Sequence, residues 1–307
     1  MDEPLLLHSL SEHAELIFGA LDAAQPTRIV EIGSETGGFS KQLLDWAGEH
    51  GATLVTVEPY PTPEVRELAE RTPHFELVIG RSPGALAGLE PAGAYVIDGD
   101  HNHWTVLREL RAAYTGDAKP LAILHDVGWP CARRDQYYAP HSIPEEGQHP
   151  YSWEKGRDPD HRELVEVGGF HGEFEFAVAL EEGGTDNGVL AAVEEFLESR
   201  PDLEYRQVEA IFGVGYVYPA DAPYAARVRE LLDPWHESKL LARMERNRVR
   251  LYSRVLELQD QLRRAGLGSG RVALALEDRI EALEAENTAL RLERARLREQ
   301  LSERARG

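Results

Sequence analysis

The chain is poorest in sulfur and in positive charge: it has one cysteine and two methionines in 307 residues, and 33 Lys and Arg against 54 Asp and Glu, a formal charge of -21. With Cys131 alone, no intrachain disulfide can form, which fits a reducing compartment. The shortage of Lys and Arg argues against sequence-independent nucleic-acid binding, which works by neutralising phosphates. No run of residues approaches the roughly 20 apolar positions that a membrane helix needs. The start, Met1-Asp-Glu-Pro-Leu-Leu-Leu-His8, has neither the basic head nor the apolar length of a secretion signal. A cytoplasmic protein acting on a small or neutral partner is the expectation. Its length allows one large core plus an appendage.

Two acidic-ended strand motifs stand out. Thr27-Arg-Ile-Val-Glu31-Ile-Gly33-Ser34-Glu35-Thr-Gly37-Gly38 is an apolar run that turns through glycines into the amphipathic stretch Phe39 to Trp46. Leu54-Val-Thr-Val-Glu58 follows at the spacing of a nucleoside pocket. A dinucleotide site wants a second glycine where this chain has Glu35, and a carboxylate repels a pyrophosphate. S-adenosyl-L-methionine brings no phosphate but a cationic sulfonium and ammonium. Acidic Glu31 and Glu35 beside Gly33, Ser34, Gly37 and Gly38 suit it, and Glu58 suits the ribose hydroxyls. An ordinary strand-to-helix turn with no ligand is the plainer alternative.

Alternation of apolar and helical segments predicts an α/β fold, a parallel sheet wrapped by helices. Strands are expected at 28–32, 53–57, 75–79, 94–97 and 121–124, with helices near 38–50, 63–71 and 103–114. From Val127 to Asp186 the periodicity gives way to a segment rich in Pro, Gly, His, Tyr and Arg, read as a substrate lid in which 174–180 could add a strand. A helix at 188–199 and strands near 204–208 and 212–218 close the sheet at seven strands. Residues 1–219 thus form one domain, with the lid at 127–186.

Beyond Pro219 the pattern changes. Leu241, Met244, Leu251, Val255, Leu258 and Leu262 fall at steps suited to a helical seam across a 220–265 segment, interrupted at Arg248. After the Gly-rich 266–270, Leu276, Leu283, Leu290 and Leu297 recur every seventh residue through 271–307, with Asn287 at a companion position that can set register. A coiled-coil arm that pairs with a second copy or a partner helix is expected; a long helix packed back on the body is the other reading.

The densest polar cluster ends the fourth strand: Asp98-Gly-Asp100-His101-Asn-His103. The fifth ends in His125-Asp126. Strand ends of an open parallel sheet share one crevice, so Asp98 and Asp126 should face Gly33 and Glu58. Two carboxylates there make a hard-cation site. A divalent cation lowers a bound hydroxyl's pKa, and His101 is placed to take the proton. The duller readings are that Asp100 caps the next helix, that Asp98 binds the methionine end of a cofactor without metal, and that His125 only packs. After Asp126 come Trp129, Arg133, Arg134, Tyr137 and Tyr138. These aromatics can stack on a sugar or aglycone and these guanidinium groups can bind an anion, or they tie the lid to an acidic body.

The segments Glu31-Ile-Gly-Ser-Glu-Thr-Gly-Gly38, Val96-Ile-Asp-Gly-Asp-His101 and Leu124-His-Asp126 resemble the cofactor and metal motifs of class I S-adenosylmethionine-dependent methyltransferases. They look most like the metal-dependent macrolide-sugar O-methyltransferases and the cephalosporin hydroxylase-like group. The likeness runs from about Leu16 to Tyr218. It implies a Rossmann-like, mostly parallel sheet, Asp98 and Asp126 as Mg2+ ligands, and His101 as base. It also implies Arg81 and Ser82, after Gly80, beside the adenine. Where that group often has an acidic residue before the second aspartate, this chain has His125, the expected third ligand. The expected activity is O-methylation of a sugar, glycan or polyhydroxylated natural product. The contrasting expectation is an assembly protein whose nucleoside-binding body does not catalyse.

Overall fold

The protein is described by a computed structural model covering residues 9–116, 118–172 and 174–264. Strands β1 (Arg28–Ile32), β2 (Thr53–Glu58), β3 (Phe75–Ile79), β4 (Ala94–Ile97) and β5 (Leu121–His125) come first. The lid strands follow: β6 (Gln136–Tyr137), β7 (Tyr151–Ser152), β8 (Gly156–Asp158), β9 (His161–Val165) and β10 (Ala177–Ala179). Last come β11 (Leu203–Val208) and β12 (Val214–Pro219). The helices are α1 (Ala14–Ala24), α2 (Gly38–His50), α3 (Pro63–Arg71), α4 (His103–Ala113), α5 (Val189–Glu198), α6 (Ala225–Leu232) and α7 (Lys239–Arg264).

Seven strands form the main sheet in the order β11-β12-β5-β4-β1-β2-β3. The pairs from β5 to β3 are parallel, and β12 runs antiparallel to both of its neighbours. Strand order therefore reverses between β1 and β4, where crossovers leave for opposite edges and open a crevice at the carboxyl ends. Side chains alternate between two apolar layers. Ile29, Leu54, Val96 and Ile123 pack with α1, α2 and α6 on one face. Val30, Val55, Ile97 and Leu124 pack with α4 and α5 on the other. This is why the strands read as continuous apolar runs: both faces are covered.

Local chemistry sets the helix ends that matter for the site. Left-handed glycines, Gly37 and Gly51, bound α2. Thr62 caps α3 with Pro63 next to it, and Asn102 caps α4, its Oδ1 accepting from Thr105 N at 2.9 Å. The capping role expected of Asp100 thus falls to Asn102, while Asp100 accepts from Tyr138 N at 3.1 Å.

The lid is a folded unit in its own right. Strands β6, β10 and β7 form one small sheet, and β8 and β9 form a hairpin. Its last strand is shorter than the expected 174–180 because Phe174 sits at φ +73° and Glu175 N closes a turn onto Gly172 O. Likewise β12 begins at Val214 rather than 212, since Ile211, Phe212 and Gly213 all have positive φ.

By compactness the chain divides into Met1–Ser253 and Arg254–Gly307. In the first unit, α7 turns Val249 and Ser253 inward and leaves Leu240, Met244 and Leu251 exposed. The heptad residues Leu276, Leu283, Asn287, Leu290 and Leu297 lie outside the described residues. Among the described residues, no helix is long and apolar enough to cross a membrane.

Candidate active site

At the β1–β4 switch point the backbone comes too close for any side chain. Gly33 has φ +85°, and a Cβ there would lie 2.3 Å from the Asp98 carbonyl oxygen. Glycine is the residue that meets both demands. Asp98 N donates to Ile32 O at 2.9 Å and Gly33 N to Val57 O at 3.0 Å, so the ends of β1, β2 and β4 are tied together at this turn. Glu35, also at positive φ, is exposed on the turn.

Glu58 ends β2 with its carboxylate held by backbone donors, Ser34 N at 3.0 Å on one oxygen and Tyr60 N at 3.0 Å on the other. The Ser34 hydroxyl adds a longer hydrogen bond, 3.4 Å, to the first of these oxygens, leaving the other with a single donor. Tyr60 is exposed, and its ring lies under the Arg81 guanidinium at 5.3 Å while Arg81 donates to its hydroxyl at 2.7 Å. Tyr60 was not singled out in the sequence, although its place two residues after Glu58 is signal enough. Ser82 is half-buried and donates to Glu109 of α4. Burial, helped by Asp100, pushes the Glu109 carboxyl up to about 8.

Glu31 lies elsewhere than the crevice wall. It is buried between β1, β2 and α2, accepting from Ser40 Oγ at 2.7 Å and Thr56 Oγ1 at 2.6 Å. Burial raises its pKa to about 7 against the pull of those two hydroxyls. A buried carboxyl occupied by Ser40 and Thr56 thus ties β1 to β2 and α2 behind the turn.

Asp98, His101 and Asp126 converge, one ligand atom of each lying within 4.8 Å of the others. His101 Nδ1 is 3.4 Å from Asp126 Oδ2. Asp126 sits in the left-handed region, φ +59°, which a short polar residue tolerates. Two carboxylates and an imidazole nitrogen form a donor set suited to a divalent cation.

His125 is set between the two aspartates. Its Nδ1 lies 3.1 Å from Asp98 Oδ1 and 3.5 Å from Asp126 Oδ2, and its Nε2 lies 3.1 Å from the Ile211 carbonyl. Burial alone lowers its pKa, but Asp98 and Asp126 outweigh that and raise it to about 9. At neutral pH the ring is an imidazolium donating from both nitrogens. His13, from the N-terminal turn, approaches it edge-on at 6.4 Å. Burial and the His125 charge lower the His13 pKa to about 4, so that ring stays neutral.

The acceptor candidates are parted by the lid. Tyr138 faces the site, half exposed, its ring 5.9 Å from that of His101. Trp129 packs on Phe212 and Phe170 at 5.7 and 6.2 Å. Arg133 is spent on Glu194 of α5, and Arg134 is buried with donors on Ala179 O, Leu180 O, Arg162 O and Glu182. Tyr137 is fully buried and donates to Asp135 at 2.8 Å. Asp135, which the sequence did not flag, anchors the lid: it accepts from His103 N of α4 at 2.8 Å and Gly188 N before α5 at 2.6 Å. His103 is buried, its Nε2 3.0 Å from Glu195 of α5.

Residues 30–124 match the family described as methyltransferase domain. Among solved structures, the chain is similar to the O-methyltransferase TomG from Streptomyces achromogenes, involved in tomaymycin synthesis and solved with S-adenosylmethionine (17% identity, 69% of this chain and 80% of that one, TM-score 0.38). It is similar to an O-methyltransferase from Bacillus cereus solved with S-adenosylhomocysteine (15%, 69% and 81%, TM-score 0.39). A Podospora anserina methyltransferase, PaMTH1, solved with S-adenosylhomocysteine, is a third (13%, 67% and 78%, TM-score 0.38). Comparison with curated proteins found no match. The segment matching the methyltransferase domain runs from β1 to β5 and contains the glycine turn at the switch point of the sheet.

Proposed function

We propose that this protein transfers the methyl group of S-adenosylmethionine to a hydroxyl of a sugar, glycan or polyhydroxylated natural product, with a divalent cation such as Mg2+ at Asp98 and Asp126 and His101 as the base. The observation that carries the reading is the convergence of those three side chains directly beside the Gly33 turn. Glu58 would take the ribose hydroxyls, and Gly33, Ser34, Gly37 and Gly38 would leave room for the methionine end. Arg81 and Tyr60 would flank the base, next to Ser82.

When bound, a cation supplies charge that lowers the pKa of an acceptor hydroxyl. The chain's own part is geometric. Asp98 and Asp126 would hold the cation against the acceptor oxygen, His101 would take the proton of the hydroxyl, and Tyr138, edge-on to the His101 ring at 5.9 Å, would border the acceptor. Holding two reactants in line supplies on the order of 7 kcal/mol of a barrier. The exposed face of α7, with Met244 and Leu251, supports a helix-mediated oligomer, and the single Cys131 supports a cytoplasmic setting.

Calorimetric titration of the full chain with S-adenosylhomocysteine, with and without Mg2+, tests the cofactor reading, and absence of binding refutes it. With a panel of glycosyl and polyol acceptors, EDTA should abolish turnover and Mg2+ restore it. Turnover indifferent to EDTA removes the cation and leaves methyl transfer standing.

A further inference from the structure

The turn between β11 and β12 is the most strained stretch of backbone near the site. Ile211 has φ +51°, Phe212 φ +62° and Gly213 φ +82°. A left-handed glycine is unremarkable, but a β-branched residue there is costly, and such strain persists only where the surroundings enforce it. Gly128 N on Phe212 O at 2.6 Å and Gly213 N on Ala210 O at 2.9 Å hold the turn's carbonyl side, and α7 holds its N–H side. Glu245 accepts from Phe212 N at 3.0 Å, and the Ile211 N–H also faces that carboxylate. Arg248 locks Glu245 with paired donors at 2.7 and 2.6 Å, and its guanidinium lies 4.9 Å over the Phe212 ring. Successive backbone N–H groups in such a turn form a concavity that holds an anion, here one the chain provides itself.

The result of the strained turn is a carbonyl. Ile211 O lies 3.1 Å from His125 Nε2, and this is the hydrogen bond that sets the ring's orientation. On the opposite nitrogen the same ring meets Asp98 and Asp126. The partner of one imidazole nitrogen decides where the other points. We propose that Glu245 of the C-terminal helix is a positioning residue for the active site, holding Ile211 in its strained conformation so that its carbonyl aims His125 at Asp98 and Asp126. The last described helix is then part of the site's construction. Its importance for catalysis rests on the reading of Asp98 and Asp126 given above, while the mechanical link stands by itself.

The test uses full-length protein labelled with 15N-histidine, the His125 ring signal being assigned by its loss in His125→Gln. The wild type should show a His125 Nε2 proton that exchanges slowly with water. In Glu245→Ala that proton should exchange about tenfold faster or more, because its acceptor is released. Adding Ile211→Gly to Glu245→Ala should restore slow exchange, since glycine adopts the turn without a clamp; a merely structural role for Glu245 gives no such rescue. S-adenosylhomocysteine affinity should stay within about twofold across the series, as Glu58 and Gly33 are untouched. Should Glu245→Ala not fold, Glu245→Gln, which accepts more weakly and loses the ion pair with Arg248, should speed exchange several-fold. Unchanged exchange in both variants, or no rescue by Ile211→Gly, overturns the proposal. Failure of wild-type protein to bind S-adenosylhomocysteine instead overturns the cofactor reading and leaves the His125 result to be judged separately.

Discussion

His125 Nδ1 lies 3.1 Å from Asp98 Oδ1, closer than to its sequence neighbour Asp126 at 3.5 Å, so a residue on β5 neutralises the end of β4. When no metal is bound, protonated His125 is the cation set between the two carboxylates, which raise its pKa to about 9.

Removing that cation should cost stability in a defined pH window. The His125 pKa in the folded state is raised from 6.5 to about 9. Its contribution is therefore complete below about 6.5 and is lost as pH rises through about 9. Urea unfolding of His125→Asn should show a deficit of about 1 to 3 kcal/mol at pH 6 that shrinks toward pH 10. A deficit that grows with pH would refute the imidazolium.

Two buried carboxyls should act in the same direction. Glu31 and Glu109 are raised to about 7 and about 8, mainly by burial. Each folded-state pKa lies above the unfolded value of 4.5, so the advantage of the protonated form is lost as pH rises through about 7 for Glu31 and about 8 for Glu109. Glu31→Gln and Glu109→Gln should flatten that part of the profile and raise Tm relative to wild type at pH 9. Thermal scans at pH 5 and pH 9 decide it.

Glu58→Ala should weaken S-adenosylhomocysteine binding by about 10- to 100-fold, the worth of one or two hydrogen bonds to a charged group, measured by calorimetry. Unaltered affinity would remove Glu58 from the ribose site.

Asp135→Ala should strip acceptors from His103 N, Gly188 N and the Tyr137 hydroxyl together, leaving buried donors unpaired. A loss of about 3 kcal/mol or more is expected in urea unfolding, with proteolysis appearing first within the lid. Arg133→Ala, whose partner Glu194 is exposed, should cost under about 1 kcal/mol.

Much of the scaffold was readable in the order of residues. The strands β1 to β5 are runs of apolar residues bounded by turn formers, and local pattern suffices when both faces are buried. The Gly33 turn, Glu58, Asp98, His101 and Asp126 were readable for a related reason: in a parallel sheet, strand ends share an edge, so position along a strand already implies position in space. The lid resisted such reading because its strands are two to five residues long and its order depends on Asp135 and Arg134, each joining residues tens of positions away.

The sequence by itself determined that a glycine turn, an acidic β2 end and two aspartate-bearing strand ends would meet, because strand alternation and glycine's freedom are local properties. Only the tertiary structure decided what each charge does. Glu31 is turned inward to Ser40 and Thr56, Arg134 into the lid, and His125 onto Ile211, whose strained backbone is held by Glu245 of α7, 34 residues further along. The protonation and orientation of a buried side chain are set by the partners that replace water, and those partners come from distant parts of the chain.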